Sequence, residues 1–172
     1  GCGEHGSLFS RKRKSAERSG SAGQMAMLLP AKIDVLPFTK LASFDEDNVP
    51  DGLEVVLRPL DRFGDQTKAV GVFRFEMYQY KQASGDHRGR RIGIWEVDLS
   101  TEKSQRSHWD SVTSTYDFRL GWQGERPPLE KYILEITYIS PDNKRLSSTY
   151  DLDFRKYRRR LKTSEGLGGQ GE

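Results

Sequence analysis

Through the middle of the chain apolar residues recur at every second position, and each such stretch stops at residues that favour turns. A period of two marks a strand with one buried and one solvated face. Residues 31–38 place Ile33 and Val35 on one face, and 52–60 do the same with Leu53, Val55 and Leu57. In 71–80, Phe73, Phe75 and Met77 point one way against Arg74, Glu76 and Tyr78. Trp95, Val97 and Leu99 alternate with Glu96 and Asp98 in 92–99, and Tyr116, Phe118, Leu120 and Trp122 alternate with Asp117 and Arg119 in 114–122. Tyr132, Leu134, Ile136 and Tyr138 share a face of 130–139; Leu146, Tyr150, Leu152 and Phe154 share one of 145–154. Seven strands follow from this pattern. "DRFGDQ" (61–66) and "SPDNK" (140–144) carry residues that close tight turns, while "SGDHRGR" and "GERPP" read as longer loops. Pro59 cannot donate to a ladder and so belongs at an edge or a strand end. One short helix is predicted near 103–112, capped by Ser100 or Thr101. Seven alternating strands without helical crossovers predict an all-β fold, an antiparallel two-sheet sandwich.

Two stretches carry a resemblance. "LEKYILEI" sets Tyr132 two residues before the core position Leu134 at the start of the penultimate strand, which resembles the tyrosine corner of immunoglobulin-like domains. "VVLRPLDRFGDQTKAVGVFRFEMY" is similar to the strand–D-x-x-G-x–strand hairpin of bacterial immunoglobulin-like and carboxypeptidase-regulatory-like modules. The resemblance covers residues 31–154, without a Cys–Trp–Cys core, and implies a scaffold rather than a chemistry.

Charge then divides the chain. Residues 1–32 hold six basic and two acidic residues, and 155–172 hold six and two again. Of the 28 basic and 25 acidic residues, 16 and 21 are left for the middle, so a mildly acidic body lies between basic ends. Residues 1–28 read as a polar linker, 29–154 as the β-domain and 155–172 as a basic, Gly-rich tail. No apolar run approaches the length of a membrane span; "MAMLLP" is far too short. With Cys2 as the single cysteine, no intramolecular disulfide forms.

Few groups are spaced for chemistry. His108, Asp110 and Ser111 in "SHWDS" lie too close in sequence to converge as a nucleophilic set, and Trp109 reads as an anchor to the core. Three histidines, His5, His87 and His108, stand far apart, so no zinc site and no cofactor is expected. Asp45, Asp47 and Asp51 in "DEDNVPDG" form a weak calcium candidate whose spacing departs from the EF-hand, against the simpler reading of a solvated acidic loop. "GLGGQG" follows no strand and opens no helix, so it is not a phosphate loop. The basic runs, Arg11, Lys12, Arg13 and Lys14 at one end and Arg155, Lys156, Arg158, Arg159, Arg160 and Lys162 at the other, suit an anionic surface. The plain reading of both runs is solubilising charge; as anionic partners, lipid ranks ahead of nucleic acid, because no recognition helix or aromatic platform accompanies them.

The N-terminus adds an address. Gly1-Cys2 followed by a Gly/Ser-rich linker and a β-domain resembles the start of bacterial lipoproteins, in which a cysteine after a small residue is diacylated once an upstream signal is cut away. The eukaryotic pattern M-G-x-x-x-[ST] fits less well, since His5 stands where Ser or Thr belongs. The resemblance implies a lipidation site at Cys2, an envelope protein as partner and a membrane-anchored place facing the periplasm or exterior. Two other classes stay open: a soluble nucleic-acid-binding protein using its basic ends, and an accessory domain of a hydrolase with His87, His108 and acidic loops converging.

Overall fold

The structure is a computed structural model that describes residues 27–45 and 49–157. Its strands are β1 (Lys32–Val35), β2 (Lys40–Ala42), β3 (Gly52–Leu60), β4 (Val72–Tyr80), β5 (Arg88–Asp98), β6 (Trp109–Asp110), β7 (Thr115–Gly121), β8 (Lys131–Ile139) and β9 (Arg145–Asp153). A helix, α1 (Glu102–His108), lies between β5 and β6, and a 3-10 turn at Phe154–Tyr157 follows β9. One sheet runs β1-β3-β7-β6, with β2 also paired to β3; the other runs β5-β4-β8-β9. Every pairing is antiparallel. The protein is thus an all-β, two-sheet sandwich.

All seven expected strands form, and two more join them. β2 and β6 are three and two residues long, too short for an alternation to show. The helix ends at His108, not 112, because Trp109 and Asp110 leave it to pair with Tyr116 and Thr115. Thr101 is its cap, with reciprocal bonds between Thr101 and Ser104. β5 starts at Arg88, within the stretch read as a loop, because its pairing with β4 continues past two register shifts. Pro59 sits at a strand end, as its chemistry requires. The β7 ladder stops at Leu57, and the Pro59 carbonyl accepts instead from the Thr67 amide at 3.1 Å.

The inward residues of both sheets are closed from water. Leu53, Val55 and Leu57 meet Phe73, Phe75 and Met77, with Tyr116, Phe118, Leu134, Ile136 and Tyr138 alongside. Phe73 is the hub, with ring centroids of Phe75, Tyr116, Phe118 and Tyr138 between 5.0 and 6.3 Å away. Such ring pairs add roughly 0.5–1.5 kcal/mol each beyond area burial. Trp95 and Trp122, placed on the inward faces by the alternation, are only partly buried and find edge carbonyls, Gly121 at 2.7 Å and Pro50 at 3.1 Å.

Three buried tyrosines each bring a hydroxyl that needs a partner. Tyr132 donates to the Pro128 carbonyl at 2.8 Å, four residues upstream, which is the hydrogen bond of a tyrosine corner. Tyr138 donates to the Val70 carbonyl at 2.7 Å. Tyr116 accepts from the Ala69 amide at 3.1 Å and donates to Gln105 at 2.5 Å, while the Gln105 amide donates to the Ala69 and Leu99 carbonyls at 2.7 Å each. Burial, aided by the Glu130 charge at Tyr132 and the Asp142 charge at Tyr138, pushes both phenols up to about 12. A raised phenol stabilises the fold below the unfolded value near 10, and that contribution is lost as pH rises through about 12. Phenolate absorbance in an alkaline titration is therefore expected to show these two tyrosines ionising together with unfolding. Tyr132→Phe and Tyr138→Phe should each remove one late-ionising group. Ionisation of all seven tyrosines near pH 10 in the folded protein would contradict this.

Candidate functional site

On the outer face of the four-stranded sheet, polar side chains pair with one another while the arginines stay partly in water. Alternation along β4 turns Arg74, Glu76 and Tyr78 outward, and β8 turns Lys131, Ile133 and Glu135 to the same side. Register makes Glu76 the partner of Glu135, and Tyr78 the partner of both Ile133 and Arg91. Two acids directly opposite would repel. Arginines from β5 and β4 resolve this: Arg88 reaches Glu135 at 2.7 Å, Arg91 reaches Glu76 at 2.7 Å, and Arg74 reaches Glu76 at 3.4 Å.

Aromatic rings complete the lattice. The Arg88 guanidinium lies 5.6 Å from the Tyr78 ring centre, and the Lys131 ammonium 5.5 Å from that of Tyr80. His87, held at φ 56° in the β4–β5 hairpin, stacks on Tyr80 at 5.1 Å. Ile133 faces this outer side yet is only 4% exposed. At Glu76, burial opposes ionisation, but the Arg91 hydrogen bond and the Arg74 charge outweigh it and hold the carboxyl below its usual range. Burial and the Glu76 charge raise the Tyr78 phenol. Engaged in this way, the acids act as acceptors for guanidinium, and the face presents the tyrosines and arginines that anchor protein interfaces.

Of the described residues singled out by the sequence, His87 borders this face and the others fall elsewhere. His108 lies beside the five-stranded sheet, its Nδ1 3.0 Å from the Asp117 carbonyl oxygen and its ring stacked on Phe118 at 5.0 Å. The Asp117 carboxyl is raised by burial and by the Glu54 charge. His87, on the hairpin of the other sheet, shares no partner with it. Asp110 turns back to the amides of Val112 and Thr113, and Trp109 packs edge-on to Tyr116 at 4.9 Å. The "SHWDS" side chains therefore diverge. Asp51 accepts from the Phe44 amide at 2.8 Å, and the Ser43 hydroxyl donates to the Asp45 carbonyl at 2.9 Å; Asp47 lies outside the described residues. Among the described residues no group of three His, Cys, Asp or Glu is placed to hold a metal ion. Cys2, Arg11–Lys14, Arg158–Arg160 and Lys162 also lie outside the described residues.

Of the basic C-terminal run, Arg155 and Lys156 are described. Arg155 grips Asp153 through Nε at 2.8 Å and Nη2 at 2.7 Å. That hydrogen bond is the main cause holding the Asp153 carboxyl down at about 2. A depressed carboxyl stabilises the fold above its unfolded value near 3.8, and the contribution is lost as pH falls through about 2. Arg155→Gln is expected to return the Asp153 titration towards the ordinary range in a carboxyl NMR experiment. An unchanged midpoint would show that Arg155 is not the cause.

The outer face was only half visible in the sequence. Arg74, Glu76 and Tyr78 alternate outward in it, but Arg88 falls in a stretch that reads as a loop, Arg91 lies in none of the expected strands, and Glu135 is one polar residue among many. The fold and this face together define an all-β sandwich with one preordered polar-aromatic surface. Comparison with protein-family models, curated proteins and solved structures returned no match.

Proposed function

We propose that the protein is a non-catalytic, membrane-tethered binding module of the bacterial cell envelope, acylated at Cys2 and presenting the outer face of its four-stranded sheet to a protein partner. The observation that carries this reading is the Arg88–Glu135, Arg91–Glu76 and Tyr78 lattice. Side chains already held in place lose little further freedom on binding, and Tyr and Arg supply contact area with directional hydrogen bonds. The strand order and the Tyr132 corner support an immunoglobulin-like scaffold for such a face. No helix among the described residues is long and apolar enough to cross a membrane, so the anchor in this reading is the lipid on Cys2.

Labelling with a palmitate analogue tests the anchor. Wild type is expected to incorporate label and to fractionate with membranes, and Cys2→Ser to do neither. A Cys2→Ser variant that labels and fractionates like wild type overturns the proposal. For the face, a photocrosslinker at position 80 is expected to trap a protein partner in the envelope, and Arg88→Ala to abolish that product; a product indifferent to Arg88 speaks against this surface.

A further inference from the structure

We propose that one end of the sandwich, formed by the segment leading into β1, the β3–β4 loop and the β6–β7 turn, seats directly on an anionic bilayer surface. The inference deepens the membrane reading above and rests on it for location, but it concerns which part of the domain meets the lipid. The large exposed apolar residues among those described are Met27, Leu28, Phe38, Val49, Phe63, Val70 and Val112. Phe38 lies between β1 and β2 and Val49 just before β3, at the opposite end. The other five gather where β1, β4, β7 and β9 start and β3, β5 and β8 finish. Leu28 is 69%, Phe63 73% and Val112 92% exposed.

These side chains are held out, not merely left over. Asp61 accepts from the amides of Phe63 at 2.8 Å and Asp65 at 3.0 Å, closing a tight turn with Phe63 at its tip. Asp110 does the same for Val112 at 2.8 Å. The Thr67 hydroxyl donates to the Leu28 carbonyl at 3.0 Å, tying the incoming segment to the β3–β4 loop. The carboxylates of Asp61 and Asp110 are thereby turned onto backbone, where they satisfy amides. Arg62 stands next to Phe63, and Lys68 lies in the same loop with its ammonium 5.1 Å from the Trp109 ring centre.

The choice of a lipid surface follows from what joins the domain here. Met27, the first described residue, lies at this end, and the sequence before it carries Arg11–Lys14 and Arg18. Bulky apolar tips beside basic residues match the boundary between headgroups and acyl chains. There, affinity grows with buried apolar area together with attraction to anionic lipid.

The test uses full-length Cys2→Ser protein, so that no acyl chain contributes. It is floated with phosphatidylcholine vesicles with and without about a third phosphatidylglycerol. The protein is expected to partition onto the anionic vesicles and much less onto neutral ones. Leu28→Ser, Phe63→Ser and Val112→Ser combined should lower that partition at least about tenfold, with an unchanged melting temperature since all three are exposed. Phe38→Ser with Val49→Ser, at the other end, should leave it as it was. A triple variant that partitions like its parent overturns the inference. So does a parent that ignores anionic vesicles, which would point to a protein partner on this end. Failure of the anchor is read separately: absent palmitate labelling with intact, tip-dependent partition removes acylation and leaves the seating in place.

Discussion

Phe73→Ala is expected to lower the free energy of unfolding by about 3–5 kcal/mol. Phe73 is fully buried, and four aromatic rings from β4, β7 and β8 surround it. Truncation removes the transfer free energy of the ring and leaves a void that those neighbours are too rigid to fill. Both sheets contribute to the cluster, so the loss weakens the contact that makes two sheets one domain. Urea unfolding should show the midpoint falling with little change in slope. Phe73→Leu should recover more than half of the loss, because it restores most of the apolar volume. A loss below about 1.5 kcal/mol would mean that the cluster collapses around the hole and is softer than its geometry implies.

Gly71→Ala is expected to cost more than about 2 kcal/mol, although it adds a single methyl group. Gly71 has φ +139°, and a Cβ there would stand 2.3 Å from the Ile139 carbonyl oxygen. Backbone on neighbouring strands must move to relieve that overlap, and the Gly71 carbonyl also accepts from the Leu99 amide at 2.8 Å. Gly64→Ala is the natural comparison. Its φ is +87°, but nothing lies within 4 Å of the added Cβ, so only the left-handed backbone is penalised, by about 1–2 kcal/mol. Equal melting temperatures for the two variants would show that the close approach to Ile139 is relieved cheaply.

Both expectations concern the frame that holds the polar-aromatic outer face. The Glu76–Arg91 and Glu135–Arg88 contacts form across β4, β5 and β8, so they depend on register. A slip of one residue would turn Arg74, Glu76 and Tyr78 into the core and Phe75 and Met77 out to solvent. Phe73, Phe75 and Met77 on the inner side therefore keep the outer lattice aligned.

How much of this was legible in the chain depends on how locally each feature is encoded. Inward and outward sets of the seven long strands can be read directly, because a strand's period of two is a property of consecutive residues. Pro59 at a strand end and Thr101 as a helix cap are local as well, since each follows from the donors and acceptors of one residue. β2 and β6 are shorter than a readable alternation and exist only because β3 and β7 offer them partners. The helix expected to run to 112 ends four residues earlier, because nothing local separates Trp109 and Asp110 from a last helical turn; pairing with Tyr116 and Thr115 does.

The sequence by itself determined that the chain forms an antiparallel β-sandwich with an aromatic-rich core, since alternation and turn chemistry act over a few residues. It also marked Tyr132 as a corner residue. Only the tertiary structure decided which strands pair, which carbonyls take the three tyrosine hydroxyls, and which arginine meets which acid. Tyr116 meets Ala69 across 47 residues and Tyr138 meets Val70 across 68. Contacts of that span are set by sheet order and register, which follow from packing two whole faces together and leave no local trace in the chain.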